Sequence, residues 1–228
     1  NGCSLIGGET AEMPGLYKLG EYDVAGFIVG IVEKEKLITG KDVQEDDVII
    51  GLAANGLHTS GYSLARKIIF ERAGHKTHDI IPEVGCSVRE ALMKVHPSYL
   101  KPINKLMKQV KVKGMAHITG GGLQGNIARI IPEGLTAHIE KEHIAVLPIF
   151  TYLQKAGNVP EEDMWRTFNM GIGYVVVVKQ EDVETTLALL EDQQPTIIGK
   201  VVPASHLDQI QQQKEVVKME EQNKEQTS

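Results

Sequence analysis

The 228 residues carry a formal net charge of −6, with 42% apolar and 24% charged side chains, enough material for one large or two small globular domains. The acidic balance argues against a nucleic-acid footprint, and no run approaches the ~20 apolar residues of a membrane helix. The first residues show no secretory signal, and Cys3 and Cys86 are too few for a disulfide framework or a structural zinc site, so a cytoplasmic location is expected.

The chain opens on the apolar pair Leu5-Ile6 followed by Gly7-Gly8-Glu9-Thr10-Ala11-Glu12-Met13-Pro14-Gly15. That order reads as a buried strand ending in a loop able to approach a polyanion and hold its metal. Such a loop needs a sheet in front of it, so the sequence is expected to be the downstream part of a larger enzyme. Asp23 to Glu33 reads as a second strand, with Gly26 and Gly30 set into it, and a domain boundary is placed near Gly40.

A new unit follows. Val48 to Ala54 is read as a short buried strand turned by Asn55-Gly56, and Tyr62 to Arg72 as a helix. Helical spacing recurs at Ser87 to Val95 and at Pro97 to Val110, where Lys105, Lys108, Lys111 and Lys113 read as a solvated helix edge. Met115 to Ile118 is a strand leading into Gly120-Gly121-Gly122 and a helix from Leu123 to Ile131. Strands are expected at Thr136 to Ile139, Ile172 to Val178 and Thr196 to Val202. Helices are expected at Ile149 to Ala156, Glu161 to Phe168 and Glu181 to Glu191. The interleaving implies a layered α/β or α+β sheet and not a tidy doubly wound fold, and α+β is the class expected. From Gln209 the chain is rich in Gln, Glu and Lys and reads as a frayed helix or a disordered tail.

Three glycine-rich turns each follow an apolar strand: Gly7-Gly8, Asn55-Gly56-Leu57-His58, and Thr119 to Gly122. Amides freed of side chains at a strand end can converge on phosphate oxygens, although one such turn alone is ordinary punctuation. Glu9 is a candidate Mg2+ ligand, while Glu12 is as readily a helix-entry carboxylate. His58, on a glycine loop beside Thr59-Ser60-Gly61, is a candidate proton donor or acceptor. Thr59 or Ser60 either caps the next helix or bonds a substrate. His117 is a second candidate that orients the Thr119 loop. Arg166 is expected to pair with Asp163, and Gly171 and Gly173 to mark a bulge.

On these residues the chain resembles the aminoimidazole ribonucleotide synthetases, also called phosphoribosylformylglycinamidine cyclo-ligases. The resemblance rests on Gly2 to Gly15, Tyr22 to Phe27, Gly56 to Leu64, Ala116 to Gly122, Ala156 to Val159 and Arg166 to Gly173. It implies an α/β/α C-terminal domain over 43–205, preceded at 1–42 by the end of an ATP-binding, dimer-forming N-terminal domain, with a polar tail over 206–228. The implied reaction uses ATP to activate the formyl oxygen of formylglycinamidine ribonucleotide, after which the imidazole ring of purine synthesis closes. By position, His58 would be catalytic, and Thr59, Ser60, Thr119, Gly120, Gly121 and Gly122 would hold the phosphoribosyl substrate. Gly7, Gly8, Glu9 and Thr10 would meet ATP phosphates, with Mg2+ on Glu9. The family often has Ser-Asn where this chain has Thr59-Ser60, so an amide contact at the second position is lost. Implied partners are ATP, Mg2+ and a second copy of the intact enzyme. The chain alone is expected to be inactive, because family aspartates that bind the metal nucleotide lie upstream of Asn1. Two other readings remain: a superfamily enzyme phosphorylating another amide, acid or selenide, and a non-catalytic phosphate-ligand or dimer-forming module.

Overall fold

A computed structural model describes residues 1–206, and the Gln-rich tail expected from Gln209 lies outside them. The chain divides into two units, Asn1–Leu37 and a second that begins at Ile38.

The first unit forms neither of its two expected strands. It holds an isolated bridge between Pro14 and Tyr17, a turn in which the Leu16 amide donates to the Met13 carbonyl at 3.1 Å, and one 3-10 turn at Lys34–Lys36. Ile6, Phe27, Val29 and Ile31 stand almost fully exposed. The physical reason is pairing. A strand is stabilised by its neighbours' backbone hydrogen bonds and by a covered face, and these residues have neither.

The second unit is built on a five-stranded, wholly antiparallel sheet. Its strands are β1 (Val48–Ala53), β4 (Gly114–His117), β5 (Leu135–Ile139), β6 (Ile172–Val178) and β7 (Thr196–Pro203), in the order β4-β6-β1-β7-β5. Alternation along the central strands sorts the two faces. Ile49, Val175, Val177 and Ile198 pack with Leu123 and Ile127 of helix α4 (Gly122–Ile127). Val48, Ile50, Val176 and Val178 pack on the other face against Ile103 and Leu106 of α3 (Leu100–Leu106) and Val183 of α7 (Val183–Leu189). Helices therefore cover both faces, and the fold is α+β.

A third core contains no residue of the five-stranded sheet. It joins α1 (Tyr62–Arg66), α2 (Val88–Leu92), α5 (Pro148–Gly157) and α6 (Glu161–Thr167) around Ile69, Phe150, Leu153 and Phe168. α1 does not run on as an α-helix. It widens into a π-helical stretch at Lys67–Arg72, closed by the Ala73 amide donating five residues back to the Ile68 carbonyl at 2.8 Å. A two-stranded hairpin, β2 (Ile80–Ile81) with β3 (Cys86–Ser87), adds an element that the sequence pattern does not reveal.

Lys113 departs from the expected helix edge. α3 ends at Leu106, and the Lys113 ammonium reaches the nearly buried Asp47 carboxylate at 2.6 Å and 2.8 Å. It ties the residue ahead of β4 to the residue ahead of β1. Arg166 pairs with Asp163 at 2.6 Å, as its helix-end position suggests.

Candidate functional site

β1 and β4 run the same way, each antiparallel to the β6 strand between them, so both end where β6 begins. Three segments meet at that edge: Ala54 to Gly61 after β1, His117 to Gly122 at the end of β4, and Asn169 to Gly173 at the start of β6. Direct bonds join them. The Ala54 amide donates to the Gly171 carbonyl at 2.7 Å, and the Ile118 amide donates to the Gly173 carbonyl at 3.0 Å. Asn169, buried, donates through Nδ2 to the Gly56 carbonyl at 2.9 Å and accepts the Gly171 amide on Oδ1 at 2.9 Å. That amide latches the β6 turn to the β1 loop.

The expected bulge is present. Leu52 pairs with Tyr174 and Ala53 with Ile172, which leaves Gly173 as the extra residue. A Cβ at Gly173 would lie 2.2 Å from the Tyr99 hydroxyl and 2.5 Å from Cε1 of His58. Only glycine lets those two rings close over the strand.

His58 is 5% exposed and holds φ at +59°. Its Nε2 lies 3.0 Å from Oδ1 of Asn55, and Nδ2 of Asn55 donates to the Val95 carbonyl at 2.8 Å, which fixes the amide's orientation. Oδ1 can only accept, while the Asn55 backbone amide, 3.2 Å from the same nitrogen, can only donate, so Nε2 finds a partner in either tautomer. Nδ1 is buried with no partner. Burial, followed by the neighbouring His96 and His117 rings, lowers the His58 pKa to about 4. At neutral pH the ring is uncharged and not an imidazolium proton donor.

His96 is the residue that sequence reasoning passed over. Its ring centroid lies 3.9 Å from that of His58, and its Nε2 lies 2.8 Å from Nε2 of His117. Tyr99 and Tyr174, 5.2 Å apart, flank the three imidazoles. Tyr99 donates to the Ala53 carbonyl at 2.8 Å, and burial pushes its pKa up to about 12. The only sequence signal for His96 was its place before Pro97, at the entry to an apolar helical stripe.

Thr59 is exposed and Ser60 half-buried. Neither hydroxyl caps α1, whose N-cap is Gly61 in the left-handed region. At the second glycine turn the three glycines differ in purpose. A Cβ at Gly122 would sit 1.8 Å from the Trp165 carbonyl oxygen, so packing against α6 requires glycine there. Gly120 and Gly121 are exposed, and a Cβ on either meets nothing nearer than 4.0 Å. Asn126, also unanticipated, holds this turn from below. Its buried Nδ2 donates to the Gly122 carbonyl at 2.7 Å and the Thr119 carbonyl at 3.2 Å, while Thr119 Oγ1 donates to its Oδ1 at 3.2 Å. Its signal was a polar residue in the apolar phase of a helix, between Leu123 and Ile127.

Gly7, Gly8, Glu9 and Thr10 lie in the first unit, all exposed, with open space where a Cβ would stand on either glycine. Among the described residues no three His, Cys, Asp or Glu side chains come together as a metal centre.

Residues 44–210 match the family described as AIR synthase related protein, C-terminal domain. The chain belongs to this family. Among curated relatives, the phosphoribosylformylglycinamidine cyclo-ligase of Thermoanaerobacter pseudethanolicus is 50% identical over 203 residues, covering 88% of this chain and 60% of that protein. The enzyme of the same name from Caldicellulosiruptor bescii is 52% identical over the same length, with the same coverage. The chain thus spans about 60% of the length of these relatives. Among solved structures, the hydrogenase maturation protein HypE superposes with a TM-score of 0.52 at 16% identity, covering 77% of this chain and 50% of that one. Thiamine-monophosphate kinase from Stenotrophomonas maltophilia gives 0.51 at 12% identity, covering 76% and 52%. At those identities the likeness shows the fold alone.

Proposed function

We propose that this chain supplies the C-terminal domain of a phosphoribosylformylglycinamidine cyclo-ligase, which closes the imidazole ring of aminoimidazole ribonucleotide. The observation that carries the reading is the convergence of Asn55–Gly61, His117–Gly122 and Asn169–Gly173 on one sheet edge. The 50% identity to curated cyclo-ligases supports the choice of reaction.

In this reading Gly120 and Gly121 leave room for the substrate's phosphate to approach the backbone, and Asn126 holds the surrounding carbonyls away from it. Thr59 and Ser60, free of capping duty, offer hydroxyls to the ribose or amidine. His58, neutral at working pH, is free to take a hydrogen bond or a proton from the attacking nitrogen, and its pKa of about 4 makes it a weak base that gives such a proton up readily. Reaching it requires the β1 loop to shift, because Nδ1 is shut against Gly173.

ATP, when bound, would supply the phosphoryl group that turns the formyl oxygen into a leaving group. Gly7, Gly8 and Thr10 would border its phosphates. Glu9 offers Mg2+ one carboxylate, and the described residues do not complete a metal site around it. A homodimer of the intact enzyme, working in the cytoplasm, completes the proposal.

The test joins this chain to the upstream domain of the Thermoanaerobacter relative and assays ATP-dependent ring closure. The joined protein is expected to turn over, and the 228-residue chain alone to be inactive. Phosphate release with other amides or acids, but none with formylglycinamidine ribonucleotide, would transfer the domain to a different reaction.

A further inference from the structure

His96 and His117 face each other through like atoms, Nε2 to Nε2 at 2.8 Å. Two lone pairs cannot meet at that distance, so one nitrogen carries a proton and the other does not. The direction follows from the far side of His96. Its Nδ1 lies 2.8 Å from the Pro97 carbonyl oxygen, which only accepts. Nδ1 of His96 therefore bears the proton, and in the neutral ring Nε2 is the acceptor. His117 must donate from Nε2, which leaves its own Nδ1 as a lone pair.

His117 is the last residue of β4 and is exposed, two residues ahead of Thr119 and the open glycines 120 and 121. The backbone carbonyl of Pro97 thus sets the tautomer of a solvent-accessible ring at the entrance of the glycine turn, with His96 as the relay. His58, whose ring lies against His96, restrains the relay from the other face, and Tyr99 meets it edge-on at 6.0 Å.

We propose that His96 is a positioning residue that locks His117 in the Nε2–H tautomer, so that His117 presents Nδ1 as a hydrogen-bond acceptor to an N–H group of the ligand. This rests on the reading that the three converging loops bind formylglycinamidine ribonucleotide, whose amidine and amide nitrogens carry such donors. His96 itself touches no ligand in this scheme.

The experiment uses the full chain labelled with 15N at histidine, in wild-type, His96→Phe and His96→Gln forms. Imidazole nitrogen shifts read the His117 tautomer directly. Wild type is expected to show Nε2 protonated and Nδ1 bare. His96→Phe should give a mixture of tautomers, and His96→Gln, whose side-chain oxygen also accepts, should restore the wild-type form. Titration with formylglycinamidine ribonucleotide should then shift His117 Nδ1 in wild type and bind about tenfold more weakly in His96→Phe, a hydrogen bond's worth. An unchanged His117 tautomer in His96→Phe overturns the proposal, whatever the ligand does. A changed tautomer with undiminished binding overturns the positioning role. If the tautomers behave as expected but no form binds the ribonucleotide, the substrate assignment falls while the relay stands.

Discussion

Gly173, Gly122 and Gly120 separate what glycine does for packing from what it does for a ligand. Alanine at Gly173 drives a methyl into two aromatic side chains, whose limited movement should hold the loss to about 1–3 kcal/mol in urea unfolding. Alanine at Gly122 meets a backbone oxygen at 1.8 Å with φ at +65°, and backbone cannot swing aside, so a larger loss or failure to fold is expected. Alanine at Gly120 should leave stability within about 0.5 kcal/mol and weaken substrate binding. His58 adds a pH signature. Its folded pKa of about 4 lies below the ordinary 6.5, so the unfolded chain takes up a proton first as pH falls. Its contribution is complete above pH 6.5 and is lost between 6.5 and 4, up to about 3 kcal/mol. His58→Asn, which tolerates the same positive φ, should flatten stability across that window.

Elements were legible in sequence where burial and period agreed. Val175 to Val178 could be read as a strand because a strand covered on both faces needs apolar residues throughout, and α5 showed its Pro start and its Gly157-Asn158 stop. The β2–β3 hairpin escaped because two-residue strands show no period. The π-helical stretch escaped because side-chain type does not record a widened turn. Lys113 was misread because an expected helix was carried past Leu106, where the chain instead leaves to deliver an ammonium to Asp47. The same logic hid His96: a ring whose importance comes from a residue 21 positions later has no local mark. The buried pair yields a sharp contrast. Lys113→Ala strands the Asp47 carboxylate and should cost about 3–5 kcal/mol in chemical denaturation, while Lys111→Ala, which breaks an exposed pair with Asp42, should cost under about 1 kcal/mol.

At the scale of the molecule, the two units behave as different materials. Within Asn1–Leu37 an apolar run from Val24 to Val32 is exposed, an adhesive segment that pairs with no strand of its own unit. The isolated chain should bind hydrophobic dyes and self-associate, and Val29→Lys with Ile31→Lys should reduce both, as light scattering would show. If those two lysines leave association unchanged, this segment is not its source.

The central placement of β6 has a further consequence. This strand enters between β1 and β4, although it is made more than fifty residues after the later of them. Until it arrives, the loop bearing His58 and the turn bearing Gly120 have no common edge. A ligand bound across this edge would therefore ignore any shorter nascent chain and recognise only one whose middle strand has been inserted, which would make its binding a timestamp for the end of folding.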